Sequence, residues 1–252
     1  MSAPELRAIA VPDPGEVRPG DSLPDKLLAA LSAHGLGLES GDILVIKHKV
    51  VSKAEGRLVR LNDVQPSAAA LAWAQEFHLD PRLVELALRE GRRIVRQQHG
   101  ILITETAHGL VCANSGVDLS NVDGGDSAVL LPLDPDASAR ALRDQLRDRL
   151  QISIPVIITD SFGRPWREGL TEVAIGVSGL APLLDYRGQS DAYGYVLHAS
   201  AEAVADELAC MAGLVCGKLN RTPACIIRGY RYRGHNGSAA ELVRPVVRDL
   251  FR

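Results

Sequence analysis

Val156–Ile157–Ile158–Thr159–Asp160–Ser161–Phe162–Gly163–Arg164–Pro165–Trp166–Arg167 changes character part-way. An apolar, β-branched run stops at an acid, a hydroxyl, a glycine and two arginines. The run predicts a buried strand, Ile154 to Thr159, that delivers polar groups to a rigid, exposed edge. A carboxylate and a hydroxyl side by side, Asp160 and Ser161, suit a hard cation such as magnesium or manganese, which takes oxygen ligands. Arg164 and Arg167 suit a phosphate or a carboxylate, because the guanidinium fork binds such groups bidentately. A plain strand end with surface arginines has the same pattern, so the chemistry must be read from more than this segment.

Two other segments repeat the design. Leu110–Val111–Cys112–Ala113 is apolar and breaks into Asn114–Ser115–Gly116–Val117–Asp118–Leu119–Ser120–Asn121–Val122. Asp118 is bracketed there by short polar side chains that leave room for a ligand. If Asp118 and Asp160 converge at strand ends, a cation or a proton must relieve their repulsion. Ile43–Leu44–Val45–Ile46 likewise runs into Lys47–His48–Lys49–Val50–Val51–Ser52–Lys53, which predicts a lysine-rich loop at a third strand end. An acid pair beside a lysine-rich loop is the charge layout of a metal–nucleotide site.

Outward from these strands the pattern is mixed. Helices are predicted over Ser22 to Leu31, Ser67 to Phe77, Asp80 to Leu88, Ala137 to Leu150 and Ala201 to Leu214, with Pro24 tolerated in a first turn. Strands are predicted at Asp42 to Ile46, Val173 to Val177 and Ala224 to Arg228. Short ones at Ile94 to Arg96, Ile101 to Thr104 and Leu110 to Ala113 are divided by Gly100 and Gly109 into hairpins. Strands and helices do not alternate regularly, so the expected class is α+β with mixed sheets rather than a doubly wound sheet. No repeat or linker divides the chain, so residues 1–252 read as one domain or as two interleaved subdomains.

Composition narrows the function. The 252 residues carry a net charge of −3, which argues against a nucleic-acid binder that relies on bulk electrostatics. Cys112, Cys210, Cys216 and Cys225 form no CxxC pair and sit in apolar contexts, so buried free thiols are expected. No export signal and no apolar span of roughly 18 residues is found, which predicts a soluble, cytoplasmic protein. Gly213 to Leu219 imitates a P-loop but is one residue short and has Leu where Ser or Thr must meet magnesium. His99 and His108 lack a third ligand at zinc spacing. Trp73 reads as core, and Arg228, Arg231 and Arg233 read equally as phosphate ligands or as an exposed basic turn.

Val50 to Arg57 (VVSKAEGR), Asn114 to Val122 (NSGVDLSNV) and Ile157 to Arg164 (IITDSFGR) together resemble the coenzyme F420-0:L-glutamate ligase family, the γ-glutamyl ligases of deazaflavin cofactor biosynthesis. Leu131 to Asp136, Ala174 to Gly179 and Ala239 to Pro245 support the resemblance, which runs in one order from about residue 10 to the C-terminus. It implies a GTP-dependent ligase that joins L-glutamate to coenzyme F420-0 through an acyl phosphate, γ-linked after the first addition. It also implies a divalent metal (magnesium or manganese), potassium as a further ion, and an intertwined homodimer.

Position by position, the resemblance assigns Asp118, Asp160 and Ser161 to metal, with Asp118, Asp160 and Lys53 as the catalytic set. It assigns Lys53 and Asn121 to the guanine nucleotide, together with Gly217, Lys218, Leu219 and Asn220 in a late loop. The N-terminal loop Pro14, Gly15, Glu16 and Val17 and the pair His48 and Lys49 occupy nucleotide positions but depart from the usual residues there. Lys218 stands where some members have an acidic ligand, so either the second metal is held differently or Lys218 meets phosphate itself. Arg164 and Arg167 are substrate-binding candidates. Two other readings stay open: a ligase of the same scaffold for another acceptor or amino acid, and a non-catalytic protein that binds guanine nucleotide or deazaflavin.

Overall fold

The computed structural model describes residues 5–119 and 126–249. Its frame is a five-stranded sheet built from β1 (Arg7–Val11), β2 (Ile43–Lys47), β8 (Val156–Arg164), β9 (Arg167–Ser178) and β12 (Ala224–Arg228), in the order β1-β12-β2-β8-β9. Only β2 and β8 run parallel, with Lys47 opposite Thr159; every other pair is antiparallel. Their apolar runs are continuous because both faces are covered. Leu44, Ile46, Val156 and Ile158 pack under α1 (Leu23–Ala33) and α5 (Pro135–Leu150). Ile43, Val45, Ile157, Cys225 and Ile227 pack under α6 (Val204–Cys216). Gly176 is the point of closest approach, since a Cβ there would lie 2.3 Å from the carbonyl oxygen of Pro135 at the start of α5.

The remaining elements pack around this frame and include two smaller apolar clusters of their own. The short helix α2 (His48–Ala54) leads into β3 (Leu58–Arg60), which pairs with β7 (Ser127–Val129). Helices α3 (Ala68–Phe77) and α4 (Pro81–Glu90) pack together beside the sheet β4 (Gly91–Gln98), β5 (Ile101–Thr106) and β6 (Val111–Ala113). Their starts are capped: Ser67 Oγ accepts from Ala70 N, and Asp80 accepts from Arg82 N just before Pro81. A two-residue pairing of β10 (Leu184–Asp185) with β11 (Ala201–Glu202) precedes α6. The chain is α+β, with mixed and antiparallel sheets, as its irregular alternation predicts.

Three local expectations are corrected. The strand through Ile157 does not stop at Thr159 but runs on to Arg164, because residues 167–173 of β9 supply it with antiparallel partners beyond the apolar core. Lys47–Lys53 is not a loop; all but its first residue lie in α2, which buries Val51 and Ser52. The helix expected from Ala201 starts only at Val204, since Ala201 and Glu202 pair as β11. The thiols are free as expected, with Cys112, Cys216 and Cys225 buried and Cys210 half-buried. No described helix is long and apolar enough to cross a membrane.

Candidate active site

Because β2 and β8 are parallel neighbours, both chains arrive at the same edge of the sheet together. That edge opens into a cavity of about 500 Å³, within the range of small-molecule sites. Its wall includes Pro14, Gly15, Glu16 and Val17 from the N-terminal loop, and His48, Lys49 and Lys53 from α2. Asp118, Asp160, Ser161, Gly217, Lys218 and Leu219 complete the expected set. Lys47, expected with the lysine-rich segment, lines it too, as do Thr159, Leu170 and Arg221, to which the sequence reading gave no role in the site. Asn220 sits just behind this wall, against Gly217. Arg164 and Arg167 lie away from it, at the exposed tip of the β8–β9 hairpin, where Arg164 Nη2 donates to Glu168 O. Asn121 lies outside the described residues.

The extended course of β8 sorts the polar groups onto two sides, since successive strand residues project to opposite faces. Asp160 shares the α1/α5 face with Ile158 and meets α2: its Oδ1 accepts from Ser161 N at 2.7 Å and lies 3.4 Å from His48 Nε2. That nitrogen is buried and makes no hydrogen bond. On the same side Lys49 Nζ lies 2.5 Å from Asp118 Oδ2, and Lys53 Nζ donates to Glu16 Oε1 at 2.7 Å. Thr159 and Ser161 face α6, with Lys47 beside them in register. A bulge in the pairing between Ile158 and Thr159 marks the turn from core to site; Asp206 of α6 accepts from Ala174 N there at 2.8 Å.

A buried carboxylate that the sequence reading missed organises the α6 side. Glu172, opposite Ser161 on β9, accepts from Ser161 Oγ at 2.7 Å, from Thr159 Oγ1 at 3.0 Å, and from Lys47 Nζ. Burial alone would raise its carboxyl, but Lys47 and then the two hydroxyls outweigh burial and hold it below the ordinary value. Lys218 Nζ donates to Ser161 Oγ from the other side. The only sequence signal for Glu172 was an acid in an otherwise apolar strand, Val173 to Val177 and the residues just before it.

The donor set fits a hard divalent metal. Asp118, Asp160 and Ser161 offer oxygen only, and two of them already hold an ammonium group, from Lys49 and Lys218, as a stand-in cation. Among the described residues no three His, Cys, Asp or Glu side chains converge as a closed cage. An all-oxygen donor set is the kind that magnesium or manganese takes, with water and a bound phosphate supplying further ligands.

The family described as F420-0:Gamma-glutamyl ligase matches residues 13–229, which include both acids, all four lysines and the whole cavity wall. The chain belongs to the F420-0:gamma-glutamyl ligase family. It is similar to proteins named coenzyme F420:L-glutamate ligase in several archaea. The Methanopyrus kandleri protein is 46% identical over 99% of this chain and 98% of its own length. That of Methanothermobacter thermautotrophicus is 45% identical over 92% and 93%, and that of Methanocaldococcus jannaschii 42% over 85% and 86%. Within this gamma-glutamyl ligase the cavity thus gathers every described residue that the family resemblance assigned to metal or nucleotide, apart from Asn220 in the layer behind.

Proposed function

We propose that the protein joins L-glutamate to coenzyme F420-0, using GTP and forming an acyl phosphate on the way. One observation carries the reading: a single cavity sets Asp118, Asp160 and Ser161 beside Lys47, Lys49, Lys53 and Lys218, as a metal-bound polyphosphate requires. In the first step a carboxylate oxygen of the deazaflavin precursor attacks the γ-phosphorus, and GDP leaves. In the second the α-amine of glutamate attacks the acyl carbon, losing a proton, and phosphate leaves. A divalent metal at Asp118, Asp160 and Ser161 would neutralise charge on the transferring phosphoryl group.

The chain's own groups do the positioning. Lys53 of α2 and Lys218, just after α6, both line the cavity and hold phosphate oxygens. The N-terminal loop, pinned where Asp13 pairs with Arg221 at 3.1 Å, closes the nucleotide side. Lys47 is fixed on Glu172 at the cavity wall. The test is mass spectrometry of the protein incubated with coenzyme F420-0, L-glutamate, GTP and manganese. A GTP-dependent gain of glutamyl units, lost in Asp160→Asn with the fold intact, is expected. Absence of any gain despite GTP binding would assign the scaffold to another acceptor or amino acid.

A further inference from the structure

Ser161 is a hydroxyl with a single proton and two lone pairs. It donates that proton to Glu172 Oε1 at 2.7 Å, behind the cavity wall, and accepts from Lys218 on the cavity side. A carboxylate can only accept, so its presence decides which way the Ser161 proton points. An amide in its place could donate instead and turn the serine proton toward the cavity, against any cation there. Glu172 is itself held from three directions, by Lys47, Thr159 and Ser161. Helix α6 packs closely on it: its backbone carbonyl accepts from Cys210 Sγ, and a Cβ on Gly213 would fall 2.5 Å from its Cγ.

We propose that Glu172 is a positioning residue for the reaction: by taking the Ser161 proton it turns the serine lone pairs into the cavity as a ligand for a divalent cation. The inference rests on the metal reading of Ser161 given above and goes beyond it, because it assigns the orientation of that ligand to a residue outside the cavity wall. Groups that orient a metal ligand in this way typically contribute roughly ten- to a hundredfold in metal affinity.

The experiment is titration of the full chain with Mn2+ in the presence of GTP, followed by electron paramagnetic resonance. Glu172→Gln is expected to weaken Mn2+ binding at least about tenfold. Ser161→Ala should weaken it similarly, and the double variant should lose no more than either alone, since both act on one ligand. Unchanged Mn2+ affinity in Glu172→Gln, or losses that multiply in the double variant, would overturn the proposal. Glu172→Asp keeps the charge beside Lys47 but withdraws the acceptor from Ser161, and serves if the amide variant does not fold; it too must weaken Mn2+. If the unaltered protein binds no Mn2+, the metal reading fails and this proposal with it. An unaltered protein that binds beside an unaffected Glu172→Gln refutes the proposal alone.

Discussion

Lys49 holds its ammonium nitrogen 2.5 Å from Oδ2 of Asp118, so the carboxylate assigned to a metal is already paired with a cation of the protein. A divalent ion must displace or share that partner. Lys49→Met should therefore tighten Mn2+ binding several-fold in the absence of nucleotide, while weakening GTP binding through the loss of a cavity charge. Mn2+ titration with and without GTP reads both directions, and equal Mn2+ affinity in the two proteins would show that the ammonium does not compete.

Lys53 is mostly buried and spends its charge on Glu16. Incoming phosphate must win it from that acid. Lys53→Ala is expected to raise the KM for GTP by about tenfold or more, as the loss of a charge-assisted contact does. Glu16→Gln should move the KM the other way by a few-fold. Opposite signs for two residues in one ion pair are the diagnostic result; a parallel loss would mean that the pair shapes the loop instead.

Gly176 lies in β9 where α5 begins, and a methyl group there would stand 2.3 Å from Pro135 O and 2.5 Å from its carbon. Both neighbours are backbone, so relief requires the helix to move off the sheet. Gly176→Ala should cost about 3 kcal/mol, the upper part of the usual overpacking range. Urea unfolding measures it, and a variant of unaltered stability would place the start of α5 elsewhere.

Glu85 of α4 accepts from Ser67 N at 2.8 Å and from Arg89 Nε at 2.7 Å. Ser67 first, then Arg89, hold its carboxyl down at about 2, against an ordinary 4.5. Because the folded value is the lower one, the stabilisation is complete above pH 4.5 and disappears as pH falls toward 2. The stability gap between the unaltered protein and Glu85→Gln should be widest at neutral pH and narrow through that window. Urea midpoints across pH 2–7 test this, and a constant gap would assign the effect to shape rather than charge.

Much of the site was legible in sequence because its acids and lysines directly follow the apolar runs that place them. Asp160, Ser161, His48 and Lys49 are each within three residues of a buried strand core, and a buried run has one position in the fold. The course of the chain beyond those runs was not legible. Whether Ser161 ends a strand or continues it depends on Glu172 and its neighbours, eleven residues on, lying opposite as a partner. Whether Lys47 to Lys53 is loop or helix depends on what covers Val51, which is tertiary context. Glu172 escaped notice for the same reason: an acid in an apolar strand has no pattern of its own, and its partners come from β2 and β8. Arg164 and Arg167 were placed near the site by sequence distance, yet a strand of this length carries them to its far tip.

The parallel pairing of β2 with β8 has a consequence for how the protein comes into being. Lys47 and Thr159 are partners across more than a hundred residues of intervening chain. Hairpins and helices close short loops quickly, whereas a pairing of this span must wait on a large loss of chain entropy. A folding intermediate can therefore hold every helix and the β8–β9 hairpin and still have no cavity. Recovery of GTP binding during refolding should lag behind recovery of helical signal, making the nucleotide of the proposed reaction a reporter of long-range sheet pairing.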